Sequence, residues 1–176
     1  SEYPELYKVI IESGDEFITV PFGMKSQKIE DGVFYFNGRA IKLKGVNRHD
    51  SHHLLGHATP MEHMRRDLLI MKAHNCNMVR TSHYPNVPRF YGLCDELGFY
   101  VMDECDVETH GVRRKNVPGD NPLWTAAVID RAQRMVLRDR NHACICFWSL
   151  GNEAGDGENF AYMRKAILAL DDTRLI

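Results

Sequence analysis

Apolar and polar positions along the chain change their period near residue 40. Before it, the runs LYKVIIE and EFITVPFG flank Ser13-Gly14-Asp15, and FYF and RAIKLKG flank Asn37-Gly38. Such runs between turn residues predict strands, and Asn-Gly favours the two-residue type I′ hairpin turn. The lead segment therefore reads as the last strands of a β-sandwich. After residue 40, the short apolar runs IKLKGVN, NMVRTSHY, FYVMDECDV and CICFWSLGN alternate with the amphipathic stretches MEHMRRDLLIMKAHN, PRFYGLCDELG, LWTAAVIDRAQRMVLRDRN and ENFAYMRKAILALD. Met61, Met64, Leu68 and Met71 recur at helical spacing and predict a core-facing stripe. Pro88 opens the second helix and Gly98 closes it. Arg174-Leu175-Ile176 is placed to begin a fifth strand. The β-α-β-α order predicts a parallel sheet covered by helices, an α/β fold. The near-continuous apolar CICFW and FYVM suit strands buried on both faces.

Chemically capable residues follow each apolar run: Asn47, Arg48, His49 and Asp50; Arg80, Ser82 and His83; Glu108 and His110; Asn152 and Glu153. In parallel α/β folds the carboxyl ends of the strands share one rim, which holds the active site. Glu153 leaves the sheet there. Partly desolvated, it can act as a general acid; as a plain alternative it caps the helix that follows. Asn152 beside it can hydrogen-bond a sugar hydroxyl. Glu108 and His110, two apart past a strand, point the same way if extended geometry continues. With Glu153 they make an oxygen-rich set suited to Mg2+ or Mn2+; the alternative is a carboxylate–imidazole hydrogen bond. Arg80 reads equally as a carboxylate-binding fork or an interior ion pair. His49 is expected at the pocket, whereas His52, His53 and His57 read as surface or hydrogen-bonding residues. The glycine-rich Gly151–Gly157 loop lacks both the GxGxxG spacing and the Lys-Ser/Thr pair of phosphate loops. Trp148 reads as core.

Composition narrows the class. Net charge is -2 with no basic block, so no nucleic-acid partner is expected. No apolar run approaches the roughly 20 residues that span a bilayer, so no membrane partner is expected either. The first residues lack the pattern of a signal peptide. The five cysteines form no Cys-x-x-Cys pair and are expected to be reduced core residues in a cytoplasmic compartment. At 176 residues the chain can hold only part of a (β/α)8 barrel, which typically takes about 250.

The strings GVNRHDSHHLLGH, MVRTSHYPN, YVMDECDVETHG and WSLGNEAGDGENF resemble glycoside hydrolase family 2, and within it the β-galactosidases of the large microbial type. The resemblance runs from about Phe34 to the end. It implies a partial (β/α)8 TIM barrel of the first four to five βα units. Residues 31–176 would form the N-terminal half of the catalytic barrel, and residues 1–30 the end of an immunoglobulin-like β-sandwich domain. It implies retaining hydrolysis of terminal β-D-galactosides such as lactose, with Glu153 as general acid/base. It further implies His49, His83 and Asn152 as substrate-binding residues, and Glu108, His110 and Glu153 as Mg2+ ligands. The attacking glutamate, the Na+ ligands and the substrate-stacking residues of the intact family enzyme would lie on later segments, leaving this chain inactive alone; the intact enzyme would be a homo-oligomer. β-Glucuronidase shares the NRH and SHYP-like motifs, and the ETHG string favours galactoside. The VRRKNVPGD segment that follows ETHG carries no assignable role.

Overall fold

The computed structural model describes residues 3–176; Ser1 and Glu2, at the start of the expected sandwich portion, lie outside the described residues. In chain order the strands and helices are β1 (Tyr7–Ser13), β2 (Glu16–Phe22), β3 (Gln27–Glu30), β4 (Val33–Phe36), β5 (Arg39–Ala40), β6 (Gly45–Arg48), α1 (Met61–Ala73), β7 (Met78–Thr81), α2 (Pro88–Leu97), β8 (Tyr100–Glu104), α3 (Thr125–Asp139), β9 (Ile145–Ser149) and α4 (Glu158–Leu168). Two 3-10 turns, His110–Lys115 and Pro122–Trp124, precede α3.

The lead segment forms two antiparallel units. β1 pairs with β2 across Gly14-Asp15. β3, β4 and β5 form a second sheet, turned at Asp31-Gly32 and Asn37-Gly38. All four of these turn residues have positive φ, at 49°, 75°, 47° and 74°, as a type I′ turn requires. Asn37-Gly38 meets the sequence expectation, while Asp31-Gly32 carries the same signal and adds a strand that the sequence reading passed over.

The remainder is one parallel sheet in the order β6-β7-β8-β9. Leu175 pairs in parallel with Phe147, so a fifth strand begins beside β9. The first parallel strand is shorter than IKLKGVN predicts and covers Gly45–Arg48 alone. The Asn77 side chain accepts from Lys44 N at 2.7 Å and donates to Lys42 O at 3.0 Å, taking the place of a strand partner there. Helices cover the sheet and enclose Leu68, Val79, Phe90, Val101, Val136, Ile145, Met163 and Ile167, all fully buried. Of the predicted stripe on α1, Met64 and Leu68 are buried and Met61 is 41 % exposed. Gly98, at φ 73°, ends α2 in the left-handed state, which glycine adopts without steric cost. Trp148 is core, with its Nε1–H donated to Asp171 at 2.8 Å. The five cysteines are free, and all but half-buried Cys76 are buried. Among the described residues no helix is long and apolar enough to cross a membrane.

The lead segment covers the N-terminal ends of the parallel strands. Gln27 Nε2 donates to Cys146 O at 2.8 Å, and Lys25 Nζ donates to Ile145 O. Burial and the nearby Arg174 lower the Lys25 ammonium to about 8. Phe34 packs tilted against Phe147 at 5.2 Å between ring centres, and Phe36 meets Tyr100 edge-on at 5.0 Å. This cover leaves the carboxyl ends of the strands as the open rim.

Candidate active site

β9 delivers Asn152 and Glu153 to the rim through a tight crossing with the segment after β8. Asn152 N donates to Val107 O at 2.9 Å, and Asn152 bridges in parallel with Glu108. The crossing needs a residue without a side chain: a Cβ on Gly151 would lie 2.4 Å from Val107 O. Glu153 itself has φ 42°, a state uncommon for glutamate. Helix α4 starts only at Glu158, so Glu153 is not its cap and that alternative falls. Gly155 and Gly157 also serve close approach. Their Cβ atoms would meet Arg113 O at 2.6 Å and Gly119 C at 2.2 Å, so the loop packs on protein.

Glu108 and His110 reach the rim by a different route from the one expected. Extended geometry ends at Thr109, with φ -138° and ψ 36°, and His110 opens a 3-10 turn. His110 N–H then donates to Glu108 Oε1 at 3.0 Å. The three-residue period of that turn puts His110 and Arg113 on one side. His110 Nδ1 contacts Glu153 Oε2, and Arg113 Nη1 donates to the same oxygen at 3.0 Å. Arg113 therefore gives part of the VRRKNVPGD segment a place in the site. The sequence held no sign of it, because nothing local announces a 3-10 turn. Glu153 is 47 % exposed at its side chain, less desolvated than its position after a buried strand suggested. Asn152 Nδ2 donates to Glu108 Oε2. Burial pushes the Glu108 carboxyl upward, but the Asn152 amide, the His110 N–H and the His83 and His110 imidazoles outweigh it and hold Glu108 below the usual glutamate range.

Beneath the rim lies Glu104, fully buried and absent from the sequence reading. It accepts from Arg80 Nε at 2.6 Å and Ser149 Oγ at 2.7 Å, and its Oε1 lies 2.8 Å from His83 Nδ1. The available signal was an acid at the carboxyl end of an apolar strand, in VMDE. Arg80 takes its interior ion-pair role and also donates from Nη2 to Asn152 Oδ1 at 2.8 Å. His83 lies edge-on to His49 at 5.3 Å between ring centres, and the Tyr84 hydroxyl lies 3.4 Å from His49 Nδ1. His57 Nδ1 contacts Asp50 O at 2.8 Å, and His52 Nδ1 accepts from Leu54 N at 3.2 Å. Asp50 is buried against Arg48 at 2.6 Å.

All five expected site residues other than His49 thus belong to one hydrogen-bonded group, with His49 packed against its edge. Two carboxylates and an imidazole suit a hard divalent cation chemically. Among the described residues, however, no three His, Cys, Asp or Glu side chains are gathered in a cation-holding arrangement. Both Glu108 oxygens are engaged by Asn152 and His110, and Arg113 holds the shared Glu153 oxygen. A cation would have to displace Arg113.

Known proteins can be set against this geometry. Residues 27–176 match the family model described as "Glycosyl hydrolases family 2, TIM barrel domain". A β-galactosidase of Pectobacterium atrosepticum is 44 % identical over 180 residues, covering 99 % of this chain and 17 % of that protein. A β-galactosidase of Vibrio vulnificus is 44 % identical over 165 residues, covering 90 % of this chain and 16 % of that one. Among solved structures, a β-glucuronidase from Ruminococcus gnavus in complex with C6-substituted uronic isofagomine superposes with TM-score 0.82 at 29 % identity, covering 96 % of this chain and 30 % of that one. The β-glucuronidase of Parabacteroides merdae gives 0.77 at 26 % identity, covering 98 % and 24 %. The chain spans about 17 % of the length of the curated relatives it matches. With its parallel strands, covering helices and loaded carboxyl rim, the chain belongs to glycosyl hydrolase family 2 and forms part of that family's TIM barrel domain.

Proposed function

We propose that this chain is the acid/base-bearing part of a β-galactosidase that cleaves terminal β-D-galactosides such as lactose by retaining double displacement. The observation that carries the reading is the convergence of Glu153, His110, Asn152 and Glu108, from two neighbouring strand ends, on one hydrogen-bonded group. In retaining glycosidases one carboxyl group protonates the leaving oxygen while a second, about 5–5.5 Å away, attacks the anomeric carbon. Glu153 is assigned the first role. The second belongs to a later barrel segment, so the isolated chain does not turn over substrate. Asn152 and His83 present polar atoms to the sugar, with His49 beside them. Arg113 and His110 hold the Glu153 carboxyl in place between proton transfers. Glu108, His110 and Glu153 are the residues that would hold Mg2+ or Mn2+, which would bring positive charge to the mouth beside the acid. The free cysteines fit a reducing, cytoplasmic setting.

Galactoside is favoured over glucuronide by the relatives: 44 % identity to β-galactosidases stands against 29 % to a β-glucuronidase. The test is Glu153→Gln in a full-length β-galactosidase carrying this segment. General acid catalysis contributes roughly 10²–10⁴-fold. Cleavage of lactose, with its poor leaving group, should fall by an amount in that range, and first-step cleavage of an activated dinitrophenyl galactoside far less. Equal losses on both substrates refute the acid role.

A further inference from the structure

Glu104 is a fully buried carboxylate beneath the rim, and the chemistry assigned above makes no use of it. A buried carboxylate persists only where donors face it, and three do: Arg80 Nε at 2.6 Å and Ser149 Oγ at 2.7 Å on Oε2, and His83 Nδ1 at 2.8 Å on Oε1. An ionised carboxylate only accepts, so the ring nitrogen facing it carries the proton. A neutral His83 ring is therefore the Nδ1–H tautomer, and its Nε2 then offers a lone pair as an acceptor for a hydroxyl. The guanidinium is planar with a fixed fork of donors. Holding Arg80 by Nε thus aims its Nη2 at Asn152 Oδ1, 2.8 Å away. That contact in turn directs the Asn152 Nδ2 group toward Glu108. We propose that Glu104 is the positioning residue of this mouth: it sets the hydrogen-bonding polarity of His83 and, through Arg80, the orientation of Asn152.

The inference deepens the glycosidase reading and rests on it, but its sharpest test does not need turnover. Arginine can only donate, whereas histidine can exchange donor for acceptor. In Glu104→Gln the remaining carbonyl oxygen must serve Arg80, leaving the amide NH2 to face His83. The expected result is a switch of His83 from the Nδ1–H to the Nε2–H form. Two-bond 15N–1H spectra of the 15N-labelled chain read the tautomer directly, with His83 assigned by its loss in His83→Gln. An Nε2–H ring in the unaltered chain overturns the proposal without any variant, which covers the case in which Glu104→Gln does not fold. An unchanged tautomer in a folded Glu104→Gln also overturns it. In a full-length β-galactosidase carrying this segment, kcat/KM should fall roughly 10–100-fold, as when other outer partners of site residues are lost; a change within about twofold contradicts the positioning role. Failure of the unaltered full-length protein to cleave a nitrophenyl galactoside would count against the glycosidase reading instead, and leave the tautomer result standing.

Discussion

Beside the backbone pairing of Leu175 with Phe147, Asp171 ties the start of the fifth strand to β9, and replacing it by asparagine gives a stability change whose size and pH dependence follow from its surroundings. The carboxylate accepts from Trp148 Nε1 at 2.8 Å, Arg174 Nη1 at 2.6 Å, Thr173 N at 2.9 Å and Thr173 Oγ1 at 2.6 Å. Burial pushes its pKa up, but these donors outweigh burial and lower it from 3.8 to about 2. At 1.36 kcal/mol per unit, that difference corresponds to roughly 2 kcal/mol in favour of the folded state. Because the folded value is the depressed one, the contribution is fully present above the unfolded pKa, near 4, and is lost as pH falls through 2. Linkage keeps most of it at pH 4 and leaves under about 1 kcal/mol at pH 2. Asp171→Asn keeps one acceptor but turns an NH2 group toward donors, so the full cost is expected at pH 7. Urea unfolding followed by tryptophan fluorescence, run on parent and variant between pH 2 and pH 7, measures the difference. It should lose most of its size from pH 7 to pH 2. A difference that stays constant across that range, or one below about 0.5 kcal/mol at pH 7, refutes the view that this carboxylate is held ionised by its donors.

Other outcomes concern the rim. Gly151→Ala places a methyl group 2.4 Å from the Val107 carbonyl at φ 143°, a backbone state closed to L side chains. It should cost about 2–3 kcal/mol in chemical denaturation, and a loss under about 0.5 kcal/mol would show that the crossing of the two segments is looser than described. If Glu108, His110 and Glu153 hold a divalent cation, millimolar Mg2+ or Mn2+ should raise Tm, since a ligand present at 100 times its Kd stabilises by about 2.7 kcal/mol. Glu108→Gln should remove that shift, and a shift of the same size in the variant places the cation elsewhere.

The two halves of the site were legible to different degrees. Glu153, Asn152, His83 and Glu108 could be picked out because each follows an apolar strand, and the carboxyl ends of parallel strands meet at one edge. Arg113 could not be, because its place depends on a 3-10 turn that opens where extended geometry was expected to continue. Glu104 could have been suspected from its strand-end position, but its three donors come from residues 21 to 45 positions away, a relation no local pattern carries.

By itself the amino-acid order determined the alternation of parallel strands and helices after residue 40, because the period of apolar positions, a proline at a helix start and a glycine at a left-handed helix end are local signals. It also placed Glu153, Asn152, His83 and Glu108 at the carboxyl rim, since each follows an apolar strand. Only the tertiary structure decided which of those residues touch, through the glycine-permitted crossing at Gly151, and which charge lies buried beneath them. Such contacts depend on distances between separate strands, and these are settled by packing and by the pairing of buried polar groups rather than by neighbours along the chain.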